Sequence, residues 1–156
     1  MERKPAGHSS KINILLKPQL STEDALRKIC SYLLQNIKQN ENGIINDTDT
    51  EFLHDFRVSI RRTRSALGQI KNILDKEIVK QAKKDFTYLG QSTNHLRDID
   101  VYLLKEDQYK KMLPEENRDY LNPFFEDLKC KRKSENATVV DMLKSEKYKQ
   151  IIDEWN

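Results

Sequence analysis

The stretch EFLHDFRVSIRRTRSALGQIKNIL, residues 51–74, spaces its apolar side chains and its cations with the period of a helix. At about 100° per residue, one face carries the large apolar side chains Phe52, Phe56, Ile60, Leu67, Ile70 and Leu74. A narrow sector broadly opposite carries His54, Arg57, Arg61, Arg64, Gly68 and Lys71, and Arg62 flanks that sector. The stretch therefore predicts an amphipathic helix whose apolar face joins a core and whose other face is cationic.

The cationic face is costly to assemble because arginine stays charged at every ordinary pH. Two like charges ~6 Å apart repel by roughly 0.7 kcal/mol in water and by about 3 kcal/mol at an effective dielectric constant of ~20. Residues 51–74 contain five lysines and arginines, against two acids, Glu51 and Asp55. Two interpretations follow: a solvated helix face, or a site for a polyanion, whose oxygens suit the planar guanidinium group.

The composition favours a single all-α domain. A chain of 156 residues is long enough to bury a core. Four glycines and four prolines are few for a turn-rich β protein, and 34% of the residues are charged. We expect residues 1–20 to be irregular and residues 21–156 to form an antiparallel helical bundle, with about four main helices and a short C-terminal helix.

Capping residues predict where the first two helices begin. Ser21 with Asp24 resembles a capping box at the start of the first helix. The stretch NENGIINDTDT, residues 40–50, reads as the loop that ends it. Thr48 with Glu51 offers the next cap, and the second helix is expected to run to about Leu74.

The second half of the bundle is predicted in the same way. Asp75 caps a third helix that runs to about Leu104, with an inner face made of Ile78, Ala82, Phe86, Leu89, Leu96 and Leu103. A fourth helix begins near Pro114, and Pro123 predicts a kink or a restart with Asn122 as the cap. Ser145 caps a short closing helix.

Targeting signals and cysteine usage bear on the compartment. The sequence contains no run of eighteen apolar residues, so we expect no membrane span. The N-terminal apolar patch of four residues is too short for a secretory signal. Cys30 and Cys130 fit no pairing or metal pattern, which is typical of idle thiols in a reducing compartment. We therefore expect a cytoplasmic protein.

Three further groups of polar residues are candidates for an extended site. On the third helix, one face carries Lys80, Lys83, Lys84, Thr87, Gln91 and Asn94. Farther along, Lys129, Arg132 and Lys133 could form another basic wall. Both groups can equally be read as solvated surface. In the run Arg97-Asp98-Ile99-Asp100, the acids are interpreted as groups that orient cations.

The sequence offers little for catalysis. Metal-binding spacings of the HEXXH or CxxC type are absent, as are a glycine-rich nucleotide loop and a recognisable nucleophile pattern. We therefore predict no cofactor, no metal site and no enzymatic activity, with an accessory role beside a phosphate-processing enzyme as one alternative. Nonspecific RNA or DNA binding is another, although the cationic face carries no Tyr, Phe or Trp for base stacking.

Three segments resemble the CHAD family, the conserved histidine α-helical domain. The first is His-x-x-Arg-Val-x-x-Arg-Arg-x-Arg, from His54 to Arg64. The second is YLGQSTNHLRDIDVYL, from Tyr88 to Leu103, which is similar to the family's Leu-Gly…Arg-Asp-x-Asp-Val segment. The third is LKCKRKSENATVVDMLKSEKYKQII, residues 128–152, with its Ser-x-x-Tyr turn. Together they cover most of residues 21–156.

The resemblance implies a fold and a ligand. CHAD domains consist of two similar helical bundles related by a pseudo-twofold axis, with basic residues lining a groove for inorganic polyphosphate, and members can associate with polyphosphate granules. The residues that match the family's motifs are His54, Arg57, Arg61, Arg62, Arg64 and Arg97. The second bundle's own motifs are missing from this chain. Either the chain is part of a longer protein, or two copies pair as a homodimer to complete the groove.

Overall fold

The computed structural model describes residues 14–69 and 74–156. Its α-helices are α1 (Thr22–Ile45), α2 (Thr50–Gln69), α3 (Lys76–Ser92), α4 (Asn94–Leu103), α5 (Glu106–Lys111), α6 (Asn122–Lys144) and α7 (Glu146–Glu154), and a 3-10 helix spans Glu115–Leu121. No strand occurs within these described ranges. The predicted all-α bundle is confirmed.

Three of the predicted caps begin helices as expected. The Ser21 hydroxyl accepts a hydrogen bond from the Asp24 amide at 3.1 Å. The Asp75 carboxylate accepts from the amides of Glu77 and Ile78. Ser145 accepts from the Tyr148 amide at 3.2 Å. These contacts satisfy backbone donors that have no partner within a first helical turn.

The first helix is longer than predicted, because α1 continues through most of the stretch read as a loop and ends at Ile45. Gly43 explains the difference. It is buried, and a Cβ added there would overlap the ring of Phe52 on α2. The glycine therefore permits close packing of two helices instead of marking a turn. The chain reverses after α1 at Asp47, which has a left-handed φ of 49°.

The predicted third helix is two helices. It breaks at Thr93, which is fully buried and donates its hydroxyl hydrogen bond to the Leu89 carbonyl at 3.0 Å. Ile78 was wrongly placed on the inner face, since it is 59% exposed, and Leu103 is half-buried. The predicted end of the second helix near Leu74 is not reached by α2, and residues 70–73 lie outside the described residues.

The region after α4 contains more structure than the sequence indicated. The short α5 was not predicted. The segment after Pro114 is the 3-10 helix, and α6 then restarts with Pro123 in its first turn, as expected for a residue that lacks an N–H. The prediction of Asn122 as the cap was wrong by one position, because Leu121 occupies it.

The core lies between α1, α2, α3, α6 and α7. Phe56, Phe86 and Leu89 are almost fully buried in it. Trp155 packs edge-to-face against Phe86 at one end, with the ring centroids 5.3 Å apart. Consecutive helices α1, α2 and α3 pack against one another, and α4 packs against α6. This arrangement leaves one flank of α2 uncovered beside α3 and α4. Within the described residues, no helix is long and apolar enough to cross a bilayer.

Candidate functional site

A groove of about 400 Å³ runs along the uncovered flank of α2, and we call it the cationic groove. Its basic lining residues are His54, Arg57, Arg61, Arg64 and Arg97. Its other lining residues are Val58, Ile60, Thr87, Gly90, Gln91 and Asn94. The lining includes neither Asp nor Glu. Helix α2 therefore supplies most of the charge, while α3 and α4 supply an opposite wall that is polar except for the cation of Arg97.

A second depression of about 490 Å³ adjoins the first toward the end of α2. It shares Arg61, Arg64 and Thr87 with the groove, and it adds Lys83 from α3. The Lys83 ammonium lies 3.9 Å from the position that a Cβ on Gly68 would occupy, so the lysine reaches across to α2. The two depressions form one elongated basic track, long enough for several charges of an extended anion.

Arg57 lies in the groove and ties α2 to the break between α3 and α4. Its Nη1 donates to the Gly90 carbonyl at 2.7 Å and to the Thr93 hydroxyl at 2.6 Å. Its Nη2 donates to the Asn94 side-chain oxygen at 2.7 Å. Burial lowers the pKa of the Arg57 guanidinium, and the charges of Arg97 and Arg61 lower it further, whereas Asp98 raises it. Arg57 is therefore committed to the fold as well as to the site.

Arg61 and Arg64 differ from Arg57. Both side chains are exposed, and no carboxylate in residues 14–69 or 74–156 forms an ion pair with either. Their guanidinium groups keep all their donors available to a ligand. About one helical turn of ~5.4 Å separates neighbouring arginines along α2, so their positive charges are regularly spaced along the helix.

Arg97 contributes a buried donor from α4. Its Nη1 has no hydrogen-bond partner among the described residues although it is inaccessible to solvent. Buried polar groups are nearly always paired, and an unpaired one calls for an explanation such as an absent ion. The residue lines the cationic groove, so its positive charge adds to that of the α2 arginines.

A scan against protein-family models matches the CHAD domain over residues 28–156, more than half of the chain. The chain belongs to the CHAD family. A comparison with the curated proteins finds no match. Among the residues carried over from the CHAD motifs, the groove brings together His54, Arg57, Arg61, Arg64 and Arg97.

Arg62 is the CHAD-motif residue that the groove does not include. It is half-buried, it is absent from the lining, and it makes an interaction elsewhere. The adjacent Arg61 lines both depressions. The ~100° between successive residues of a helix explains the difference. A ligand-binding role for Arg62 stays a prediction.

Arg132 on α6, also predicted as a ligand residue, is paired with one acid from the turn after α1 and one from α4. Its Nε donates to Asp100 at 2.7 Å, and its two Nη atoms donate to Asp47 at 2.8 and 2.7 Å. These hydrogen bonds raise the pKa of Arg132. Burial raises the pKa of Asp100, which is 1% exposed, and the hydrogen bond from Arg132 opposes that rise. This arrangement agrees with the interpretation of Asp100 as a group that orients a cation.

The remaining predicted cations that the structure describes line neither depression. Lys80 pairs with Glu77, and Lys129 pairs with Glu126 and Glu106. Lys84 and Lys133 are exposed and line neither depression. Lys71 lies outside the described residues. For all five, ligand binding stays a prediction.

Some site residues were found from sequence and others were missed. The polar face of α3 was predicted, and Thr87, Gln91 and Asn94 do line the groove. Gly90 was missed as the carbonyl that Arg57 uses, although its position three residues after Thr87 and four before Asn94 is the signal that places it on that face. In residues 14–69 and 74–156, no three His, Cys, Asp or Glu side chains come together as a metal site would require.

Proposed function

We propose that the protein binds inorganic polyphosphate in the cationic groove and carries out no chemistry on it. The observation that supports this most is a groove lined by four arginines and a histidine and by no acid. Arginines that share a groove with no acid repel one another, and an anion that enters the groove adds attractive terms that can outweigh this repulsion. Membership of the CHAD family, which is related to polyphosphate binding, supports the same ligand.

The proposed contacts differ in kind. Arg61 and Arg64 would each donate to phosphate oxygens through a planar fork, with Lys83 extending the track as a point charge. Arg97 would add a further positive charge to the lining from α4. Thr87, Gln91 and Asn94 supply neutral polar groups on the opposite wall. A linear chain of phosphates presents charge at every unit, which suits a groove with cations along its length.

Nucleic acid is the alternative ligand with the same charge. Single-strand platforms stack bases on aromatic rings, worth ~1–3 kcal/mol per base. The lining residues of the cationic groove include no Phe, Tyr or Trp. We therefore propose that polyphosphate binds more tightly than RNA of equal charge.

The test measures binding of long-chain polyphosphate at about 0.15 M salt, with RNA and orthophosphate as competitors. An Arg61→Ala/Arg64→Ala variant is expected to bind at least about tenfold more weakly. The matched control is Arg27→Ala/Lys131→Ala, which removes the same charge from exposed pairs elsewhere. Equal losses in the two variants would mean that net charge alone attracts the polyanion, and the proposed site would be wrong.

The absence of catalysis is tested separately. We expect neither orthophosphate nor shortened chains after incubation of the protein with polyphosphate and Mg²⁺ or Mn²⁺. Release of product that the Arg61→Ala/Arg64→Ala variant abolishes would contradict this part of the proposal and leave the binding site in place.

Two further parts rest on the family relation. We propose that the protein associates with polyphosphate granules in the cytoplasm, and that a second wall of the groove comes from a second bundle, either in a longer chain or in a second copy. Fluorescent fusions of the wild type and of Arg61→Ala/Arg64→Ala test the first part. The protein's mass in solution with and without polyphosphate tests the second.

A further inference from the structure

Helix α3 has a second recessed surface on the side away from the cationic groove, which we call the acidic cleft. The residues that α3 gives to the groove and those that it gives to the cleft lie about half a turn apart at ~100° per residue. The groove residues are Lys83, Thr87 and Gln91, and the cleft residues are Gln81 and Asp85. The cleft has a volume of about 390 Å³, within the ~300–1,000 Å³ typical of ligand pockets. It opens between α3 and α7.

The floor of the acidic cleft is apolar. It is formed by Ala82, Phe86, Ile151 and Trp155, with Ile78 at its edge. Ile78 lies in the first turn of α3, and it is 59% exposed. A large aliphatic side chain exposed next to an apolar recess is typical of a surface that another apolar group covers.

The rim of the cleft is acidic, with Glu77, Asp85 and Glu154 as its charged lining residues. Asp85 accepts hydrogen bonds from Gln81 at 2.9 and 3.0 Å, and the exposed Glu77 lies 3.5 Å from Lys80. No cation is among the lining residues. The cleft therefore suits an aliphatic segment that carries positive charge at its ends.

The same chain contains such a segment, which we call the N-terminal arm: Ile14, Leu15, Leu16 and Lys17. Leu15 is 81% exposed and Leu16 is 42% exposed. The arm is not helical, so it can present consecutive side chains to a cleft. Lys17 follows the aliphatic run, and Lys11 precedes it in the sequence. With Leu15 so exposed, the arm does not fill the cleft of its own chain.

We propose that the N-terminal arm of one copy docks in the acidic cleft of a second copy, with Leu15 or Leu16 on the apolar floor and Lys17 beside the acidic rim. Since each copy carries one arm and one cleft, reciprocal exchange gives a closed twofold dimer. The proposal does not depend on polyphosphate, because the cleft and the cationic groove lie on opposite sides of α3.

The first test is the mass of the full chain in solution over a range of concentrations, by sedimentation. The wild type is expected to dimerise. An arm variant, Leu15→Asp/Leu16→Asp, and a cleft variant, Glu77→Lys/Glu154→Lys, are each expected to dimerise at least about tenfold more weakly. Glu77 and Glu154 are both exposed, so the cleft variant should fold.

Mixing the two variants is the decisive measurement. The mixture retains one intact arm and one intact cleft, so a one-to-one complex should form although each variant alone stays monomeric. Trp155 is the only tryptophan in the sequence and lines the cleft, so its fluorescence should change when the complex forms. The control is the arm variant alone, which has no intact arm and should form no complex.

Three results would overturn the proposal. The first is a wild type that stays monomeric with constant Trp155 fluorescence. The second is dimerisation that both variants retain in full, which would place the interface elsewhere. The third is a mixture that forms no complex. None of the substituted residues lines the cationic groove, so failure here leaves the proposed function intact.

Discussion

Arg132 and the arginines of the cationic groove have opposite surroundings. Arg132 on α6 is held by two carboxylates, those of Asp47 and Asp100, through three hydrogen bonds of 2.7–2.8 Å. The arginines of the cationic groove share their lining with no acid. In sequence Arg132 and the groove arginines look alike, because all of them are basic residues on amphipathic helices.

The difference separates cations that stabilise the fold from cations that are available to a ligand. A buried guanidinium is compatible with folding when carboxylates satisfy its donors, and such a residue has little left to offer an anion. Arg57 lies between the two cases, because backbone and side-chain oxygens, not carboxylates, accept its hydrogen bonds. Partners, and not the density of positive charge, decide which arginines are available to an anionic ligand.

The largest effect is expected where carboxylates pair with the cation. Arg132→Ala leaves the buried Asp100 without its cation, and removal of one partner of a buried pair costs about 3–5 kcal/mol. Urea unfolding measures the change in the free energy of unfolding. Lys131→Ala, which removes the adjacent exposed pair with Asp127, is the control and should change it by less than about 0.5 kcal/mol. Equal changes in the free energy of unfolding for Arg132→Ala and Lys131→Ala would contradict the structural role of Arg132.

Arg57→Ala should destabilise the protein by a smaller amount, about 1.5–3 kcal/mol, because it removes hydrogen bonds between α2 and the α3–α4 break. Arg64→Ala, on the same helix face but without such bonds, should leave the free energy of unfolding nearly unchanged. Weaker polyphosphate binding by Arg57→Ala would then include a loss of fold, so the variant alone cannot measure a phosphate contact. If Arg64→Ala is equally destabilised, the distinction between the two arginines fails.

Arg61→Ala and Arg62→Ala sharpen the comparison within the CHAD motif, since they remove equal charge from neighbouring positions. Arg61 lines both depressions and Arg62 lines neither. Arg61→Ala is therefore expected to weaken polyphosphate binding by about threefold to tenfold and to reduce its salt dependence. Arg62→Ala should bind like the wild type. The reverse order of affinities would show that the ligand follows a different path.

The smallest effect concerns Glu41, a half-buried carboxylate whose partner is the neutral hydroxyl of Tyr148 at 2.5 Å. Burial raises the pKa of Glu41, and the Tyr148 hydrogen bond and the charge of Lys38 oppose the rise. A carboxyl with a raised folded-state pKa contributes stability at low pH that is lost as the pH rises through that pKa. Glu41→Gln keeps an acceptor and removes the titration, so its stability should vary less with pH from about 4 upward.

Unfolding midpoints across that pH range check the Glu41 prediction. Glu126→Gln, at an exposed carboxylate paired with Lys129, is the control and should follow the wild-type curve. A curve for Glu41→Gln that falls as steeply with rising pH as the wild type would place the titration on another group.

Helical periodicity predicted most of the fold and part of the site. It placed the arginine stripe and the polar face of α3 toward one groove, because both patterns depend on local spacing alone. It failed at Gly43, whose role depends on Phe52 of the next helix, and at Ile78, whose face of α3 borders the acidic cleft. Periodicity gives a direction on a helix but does not reveal what lies there.

The roles of the individual arginines were beyond the sequence for the same reason. Arg57 and Arg61 are one helical turn apart and have equivalent positions in the pattern. Their difference comes from Gly90, Thr93 and Asn94, more than thirty residues later, where α3 breaks. The fate of Arg132 likewise depends on Asp47, 85 positions away in the chain. Such long-range partners appear only when the helices are packed.

The turn after α1 places two independent demands on one residue. The left-handed backbone of Asp47 is readily adopted by glycine, asparagine and aspartate and by few other residues. The two hydrogen bonds from Arg132 use both oxygens of the Asp47 side chain, whereas asparagine offers one acceptor oxygen and glycine none. Glutamate satisfies the charge but not the backbone. In terms of mutational tolerance, aspartate is the one amino acid that meets both demands, so this exposed loop position should accept fewer substitutions than many positions in the core.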